Sequence, residues 1–295
     1  MTKISTSTRH TVKTLGIEEG ISLLAKAGYD ALDLSLDLHT AEISDGTWQP
    51  IAKQYRAAAE ALGITYNQAH APFGGGALPD GRSNYAVNLA PLMPATLEMA
   101  AAAGVGTVVI HPMIFLEIGY LGHEELHLER NMEFYEKLIP IARDLGVKIA
   151  IENLWIKNPL TGNITSAACA NPVEHIRYLD TLAAPDVFTL CLDLGHSALV
   201  GLDPADVIRT LGHDRLGALH VHDVDYKKDL HTLPYCSQLD WEEICRALGE
   251  INYKGLLTLE ADSFIKKLDP ELLAPATAYM ATVARHLAKK IDSYR

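Results

Sequence analysis

Glu152, Asp193, His220 and Glu260 each close a short apolar run: KIAIE (148–152), FTLCLD (188–193), LGALH (216–220) and GLLTLE (255–260). Apolar runs of this length read as buried strands. A carboxylate or imidazole at the end of a buried strand carries a desolvation cost unless something compensates it. Four such ends, regularly spaced, point to one shared partner. A divalent metal fits, because it takes carboxylate and imidazole ligands together.

Side chains alternate along a strand, so residues 150 and 152 share a face, as do 191 and 193, 218 and 220, and 258 and 260. The deeper member of each pair is small or apolar: Ala150, Cys191, Ala218 and Thr258. That is the pattern of a packed barrel lumen capped by a polar site. Further ligand types fall at the same level. His70 ends NQAH, His111 ends TVVIH, His196 follows Asp193 in DLGH, and Asp229 and His231 lie in DLHTLP. His220 and His222 share a strand face and either could be the ligand. Depth favours His220.

Each residue has a plainer reading. His70 or His111 taken alone is more often a hydrogen-bonded core histidine. Glu152 and Glu260 could form buried salt bridges. His123, His127, His175 and His213 fall on helical stretches and are expected on the surface. Trp155 and Phe73 follow ligand-bearing strands and either wall a pocket or simply pack. Lys227 and Lys228 read as a solvated loop.

Eight strands must position this set, near 3–7, 31–36, 64–69, 107–111, 147–152, 188–193, 216–222 and 255–260. Helical periodicity alternates with them at 17–28, 49–62, 84–103, 124–145, 171–182, 204–212, 240–249 and 270–290. Gly28, Gly63, Gly104, Gly146 and Gly249 read as left-handed helix caps. Asn171 and Asp203, each followed by proline, read as helix starts. Eight strand–helix units in 295 residues predict an α/β chain folded as one (β/α)8 TIM barrel over 1–295, with its site at the C-terminal strand ends. A doubly wound sheet would want a phosphate loop, and neither GxGxxG nor GxxxxGK occurs. GGG at 74–76 reads as a flexible loop.

Charge bears on partners. Twenty-five basic against 37 acidic residues give −12, which argues against a protein that tracks nucleic-acid phosphates or an anionic membrane. A small, neutral or metal-chelated substrate fits better. No run of 18 apolar residues and no signal-peptide core occurs, and the four cysteines form no CxxC pair. A cytoplasmic chain with reduced thiols is expected. Oligomeric state is left open, a homo-oligomer included.

The ordered set IENL (151–154), DLGHSALVG (193–201), HVHDVD (220–225), DLH (229–231), LDW (239–241) and LTLEAD (257–262) resembles the xylose-isomerase-like superfamily. Within it, the sugar phosphate isomerase/epimerase branch is the nearer likeness. The resemblance covers nearly the whole chain. It implies that Glu152, Asp193, His220 and Glu260 bind one divalent metal (Mn, Zn, Mg or Co). It also implies that His196 contacts substrate and that Glu152 and Glu260 act as acid and base. The expected chemistry is isomerisation or epimerisation of a sugar, sugar acid or polyol-derived ketone through an enediolate. A dehydratase would use the same metal and base. The superfamily also holds abasic-site endonucleases of the endonuclease IV type, whose zinc ligand types all have counterparts here: His70, His111, Glu152, Asp193, His196, His220, Asp229, His231 and Glu260. A second metal near His70 and His111, or near His196, Asp229 and His231, is therefore open. The nucleases' Thr-Ala-Gly-Gln-Gly run is replaced by NLWIKN (153–158), and no basic stripe is present.

Overall fold

The computed structural model describes residues 1–74, 76–158 and 161–295. Its strands are β1 (Ile4–Thr6), β2 (Ala31–Ser35), β3 (Thr65–His70), β4 (Thr107–Ile110), β5 (Lys148–Glu152), β6 (Trp155–Lys157), β7 (Ile164–Ser166), β8 (Phe188–Asp193), β9 (Leu216–His220) and β10 (Leu257–Leu259). Strands β2-β3-β4-β5-β8-β9 pair in that order, all parallel. β1 pairs with β10, also in parallel. Single parallel bridges, Ser7 to Asp33 and Val221 to Leu259, join these sheets edge to edge. The ring is thereby closed into the predicted (β/α)8 barrel, and helices cover its outside.

The period-two alternation holds. Ile149 and Ile151 of β5, Leu190 and Leu192 of β8, and Leu219 of β9 enter the outer core against the helices. Val109, Ala150, Cys191 and Ala218 form a separate small apolar layer in the lumen, beneath the ligand types. Small residues are needed there because strands converge on one axis.

Two expected helices are broken by proline. The stretch 84–103 becomes a π-helical segment at Tyr85–Leu89, a 3-10 turn at Ala90–Leu92 and an α-helix at Met93–Ala103, with Pro91 and Pro94 at the breaks. The stretch 124–145 splits into Glu124–Glu136 and Ile139–Leu145, with Pro140 in the first turn of the second. Proline lacks the amide that would continue the ladder. Gly28, Gly63, Gly104 and Gly146 do cap helices at positive φ. Gly249 does not. It lies inside the helix Trp241–Glu250, where a Cβ would come within 2.5 Å of the Tyr294 side chain, so glycine is there for close packing. Asn171 and Asp203 cap as expected, accepting from Val173 N and Ala205 N. Gly75 of the GGG loop lies outside the described residues. The four cysteines are free. Among the described residues no helix is long and apolar enough to cross a membrane.

His123 and His213 are exposed, but His127 and His175 are buried, which corrects the surface expectation for those two. Helical periodicity alone does not say which face a polar residue takes, and here hydrogen bonds admit them. His127 accepts from Phe115 N, and His175 Nε2 donates to the Ile151 carbonyl at 2.8 Å. Burial pushes the His175 pKa down to about 4. Its unfolded value is higher, so the unfolded chain binds the extra proton first. The stabilising contribution of neutral His175 is complete above pH 6.5 and is lost as pH falls through 4. A shift of this size is worth about 3 kcal/mol. In urea titrations between pH 7 and 4, His175→Gln should flatten the acid limb of stability by about that amount. Parallel pH curves for variant and parent would contradict it.

Candidate functional site

The strand ends gather the predicted residues. One ligand atom from each of Glu152, Asp193, His220 and Glu260 lies within 4.8 Å of the others. Four further groups among the described residues share the same spacing: His70, His111 and Glu152; His70, His220 and Glu260; His196, Asp229 and His231; and His222, His231 and Glu260. Glu152 belongs to two of the five groups and Glu260 to three. It is 1% exposed, and four imidazoles surround it: His111 Nε2 at 2.9 Å, His220 Nδ1 at 3.0 Å, His70 Nε2 at 3.4 Å and His196 Nδ1 at 3.6 Å. Glu260, one residue past β10, is 14% exposed and reaches His220 Nδ1 at 3.3 Å.

Local structure explains the aim of each side chain. Asp193 ends β8 and also caps the helix Leu194–Leu199, accepting from His196 N at 2.7 Å. This cap places His196 one turn further on, above the site. Asn153 clamps the same corner: its side chain bonds the Asp193 backbone at both N and O, and its carbonyl accepts from His196 Nδ1 at 2.8 Å. His70 and His231 are held alike, Nδ1 donating to the carbonyls of Ala71 and Glu260. A carbonyl only accepts, so in each of these three rings Nδ1 carries the proton and Nε2 is left for the site. His231 adopts φ 43°, a costly backbone for a non-glycine residue.

This donor set fits a divalent cation. Neutral rings with Nδ1 protonated turn bare nitrogens toward carboxylate oxygens, and only a cation or extra protons can relieve that. Among the described residues Glu152 Oε2 is buried with no aligned hydrogen bond, although His111 Nε2 is 2.9 Å away. A nitrogen and an oxygen that are close yet not aligned on each other suit a shared ion better than a direct hydrogen bond. The ionisation states follow the same logic. Burial would raise the Glu152 carboxyl, but His220 and His111 reverse the sign and hold it well below the usual range. Burial would lower His231, but Glu260 and Asp229 push it up to about 10. His196 is likewise raised against its burial by Asp193 and Asp229, whereas for His111 burial outweighs Glu152 and the pKa falls.

Trp155 and Phe73 both stand beside the cluster. Trp155 Nε1 donates to Asp229 Oδ2 at 3.3 Å, and the Phe73 ring centroid is 4.5 Å from that of His70. Lys227 and Lys228 are exposed in a turn organised by Asp225.

The family model described as xylose isomerase-like TIM barrel matches residues 21–289. The chain belongs to this family. Among curated relatives, an uncharacterized protein, y4fM, of Sinorhizobium fredii is 27% identical over 207 residues, 69% of this chain and 61% of its own. An inosose dehydratase of Lacticaseibacillus casei is 27% identical over 159 residues, 48% of this chain and 49% of its own. The chain thus spans about half to three-fifths of the length of the curated relatives it matches. Solved structures share the fold: a D-tagatose 3-epimerase-like protein (TM-score 0.74, 18% identity, 99% and 98% of the two chains) and the E. coli 3-keto-D-glucoside 4-epimerase (0.69, 16%, 96% and 100%).

In this xylose isomerase-like barrel several site-side residues escaped the sequence reading. Asn153 sits next to Glu152 and was visible only as part of a run. His222, weighed as an alternative to His220, faces Asp193 instead, with Nε2 at 3.0 and 3.1 Å from the two oxygens. Its ring is admitted by Gly195, where a Cβ would stand 2.1 Å from His222 Cε1. Asp223 accepts from Val224 N, Ser237 N, Leu239 N and Trp241 Nε1, closing the loop that carries Asp229 and His231. Nothing in the spacing of HVHD distinguishes these roles. They depend on which loops return to the strand end.

Proposed function

We propose that this protein is a divalent-metal-dependent isomerase or epimerase of a sugar, sugar acid or polyol-derived ketone. The observation that carries the reading is the convergence of Glu152, Asp193, His220 and Glu260, with one carboxylate sealed and the other open to the barrel mouth. These four residues would hold the cation, which when bound polarises a carbonyl and acidifies the neighbouring C–H. Glu260, the accessible carboxylate, takes the proton α to the carbonyl. Glu152 serves as the second acid–base group and returns a proton to the neighbouring carbon or the opposite face. His196, with Nδ1 donating to the Asn153 carbonyl and its pKa held well above the usual range by Asp193 and Asp229, donates in its protonated form from Nε2 to the developing oxyanion. Trp155 and Phe73 exclude water from the two sides. The names of the solved relatives, sugar epimerases among them, support a carbohydrate substrate, and the four free cysteines support a reducing, cytoplasmic setting.

A dehydratase is the second reading, favoured by the inosose dehydratase relative. It shares the first proton abstraction and differs in expelling a β-hydroxyl. The nuclease reading draws on the flanking groups around His70 and His231. Against it stands the charge of the mouth: Arg82 is paired to Asp80 at 2.8 Å, and Asp229 and Glu260 line the opening. A duplex binder needs several unpaired cations on one face. Incubation in deuterium oxide with manganese or zinc should exchange the α-proton of at least one ketose or sugar-acid ketone. Loss of water with exchange would select the dehydratase. Metal-dependent nicking of an abasic-site duplex would overturn the proposal.

A further inference from the structure

Outside the ligand cluster, one corner of the barrel mouth is built from polar side chains on three separate segments. Ser7 follows β1, Ser35 ends β2, and Asp262 lies two residues past Glu260. Ser7 Oγ donates its proton to Asp262 Oδ2 at 3.0 Å. It accepts in return from Arg9 N at 3.2 Å and from Ser35 Oγ at 3.3 Å. A hydroxyl offers one proton and two lone pairs, so Ser7 is fully used. The result fixes Asp262 against the end of β1. Its Oδ2 is held, and its Oδ1 carries no hydrogen bond among the described residues. Asp262 is half-buried.

A cation stands beside it. Arg9 Nε lies 2.9 Å from Oδ2 of Asp37, in the 3-10 turn Leu36–His39 after β2. The Asp37 side chain is 7% exposed and that of Arg9 46%. The guanidinium carbon of Arg9 lies 4.9 Å from the centroid of the Phe73 ring. Asp37 at one edge and Phe73 at one face therefore hold the fork in place. Among the described residues its two terminal nitrogens have no hydrogen-bond partner. Phe73 itself packs on His70 and His111. Asp37 and Asp262 both feel the charges of Arg9 and Glu260, so the corner adjoins the ligand cluster. It presents a donor, Arg9, and an acceptor, Asp262, joined through Ser7. The carboxylates of Asp37, Asp262 and Glu260 outnumber the one guanidinium.

We propose that Arg9 and Asp262 are the specificity-determining pair of this site: Asp262 accepts from, and Arg9 donates to, hydroxyls of the substrate at the end remote from its carbonyl. The inference rests on the isomerase or epimerase reading above. It narrows the substrate to an uncharged, open-chain polyhydroxy ketone. A sugar hydroxyl is both donor and acceptor, which is what a mixed pair reads. A phosphate or carboxylate at that end would meet Arg9 but also the three carboxylates. A tail without hydroxyls would leave both groups desolvated and unpaired.

The test measures α-proton exchange, as kcat/KM with metal present. The substrates are the 2-ketohexose that the parent exchanges fastest, its 6-deoxy analogue and its 6-phosphate. Arg9→Met keeps the stem on Phe73 and removes the donor, and Asp262→Ala removes the acceptor. The parent should favour the 6-hydroxyl over the 6-deoxy sugar roughly 10- to 100-fold, as hydrogen bonds to charged groups do. Each variant should lose much of that preference, with the 6-deoxy sugar held within about twofold of the parent. Comparing ratios between proteins cancels the sugars' different ring opening. The 6-phosphate should be the poorest substrate of the parent. A preference that survives both substitutions overturns the proposal. So does an equal fall on both sugars, which a purely structural role would give, or a parent that favours the 6-phosphate. Exchange confined to sugar acids or cyclic ketones overturns it and leaves the isomerase reading standing. If the parent exchanges nothing, that reading falls, and calorimetry with a hexitol, a polyol that cannot react, decides the corner alone. Binding weakened in both variants supports the pair, and binding that is absent or unweakened refutes it.

Discussion

Glu152→Gln should leave a folded barrel that has lost turnover. The amide keeps the shape of the carboxyl in the lumen, so far-UV circular dichroism should superimpose on the parent. Its chemistry differs in two ways at once. It cannot accept a proton, and it is a poor ligand shared between the His70–His111 group and the Asp193–His220–Glu260 group. Removal of a general acid or base alone costs about 10² to 10⁴ in rate, and groups that act as a unit do not add. The expected loss in α-proton exchange is therefore at least about 10³-fold, with weaker manganese uptake. His213→Ala is the control, because His213 is exposed and, among the described residues, pairs only with its neighbour Asp214. It should change the exchange rate less than about twofold, as surface substitutions away from a site usually do. Near-parental exchange by Glu152→Gln would remove Glu152 from the proposed proton transfers.

Chelation should lower the melting temperature, and more so at high pH. An ion bound only to the native state contributes about 4 kcal/mol at a thousandfold excess over its Kd, which for a chain of this size is a fall in Tm on the order of 10 °C. Protons offer a partial substitute. In the cation-free protein the His231 pKa is raised to about 10 by Glu260 and Asp229 against its burial. A histidine raised in the folded state stabilises fully below its unfolded value near 6.5 and loses that contribution as pH climbs toward 10. The chelated protein is thus partly compensated at pH 6 and poorly at pH 9, so the Tm gap between metal-loaded and chelated protein should widen between them. Hydrogen exchange should quicken in the loop 223–238, which carries Asp229 and His231. Scanning calorimetry at the two pH values, with metal loss verified by elemental analysis, measures the gap. Equal Tm before and after verified metal removal would mean that ion pairs and hydrogen bonds alone hold the cluster.

The sequence by itself determined the barrel and the level of its site. Eight apolar runs at regular spacing leave few other topologies, and a polar residue at the end of a buried strand is visible because strands alternate with a strict period of two. The convergence of Glu152, Asp193, His220 and Glu260 at one level was legible for that reason, as was the small layer of Ala150, Cys191 and Ala218 beneath them. Tertiary structure decided what period alone does not encode. Prolines at 91, 94 and 140 broke two helices that hydropathy had run together. His127 and His175 went inward because a loop amide and a strand carbonyl were there to meet them. His220 and His222 share one strand face, yet β5 and β10 bring Glu152 and Glu260 to the first, while β8 brings Asp193 to the second and Gly195 gives its ring room. The polar corner of the mouth needed Ser7, Ser35 and Asp262 to meet from three separate segments, and none of the three marks the others in sequence. Which donor meets which acceptor is set by the closing of the ring, because partners as far apart as Ser7 and Asp262 become neighbours only when β1 and β2 meet β9 and β10 around one axis.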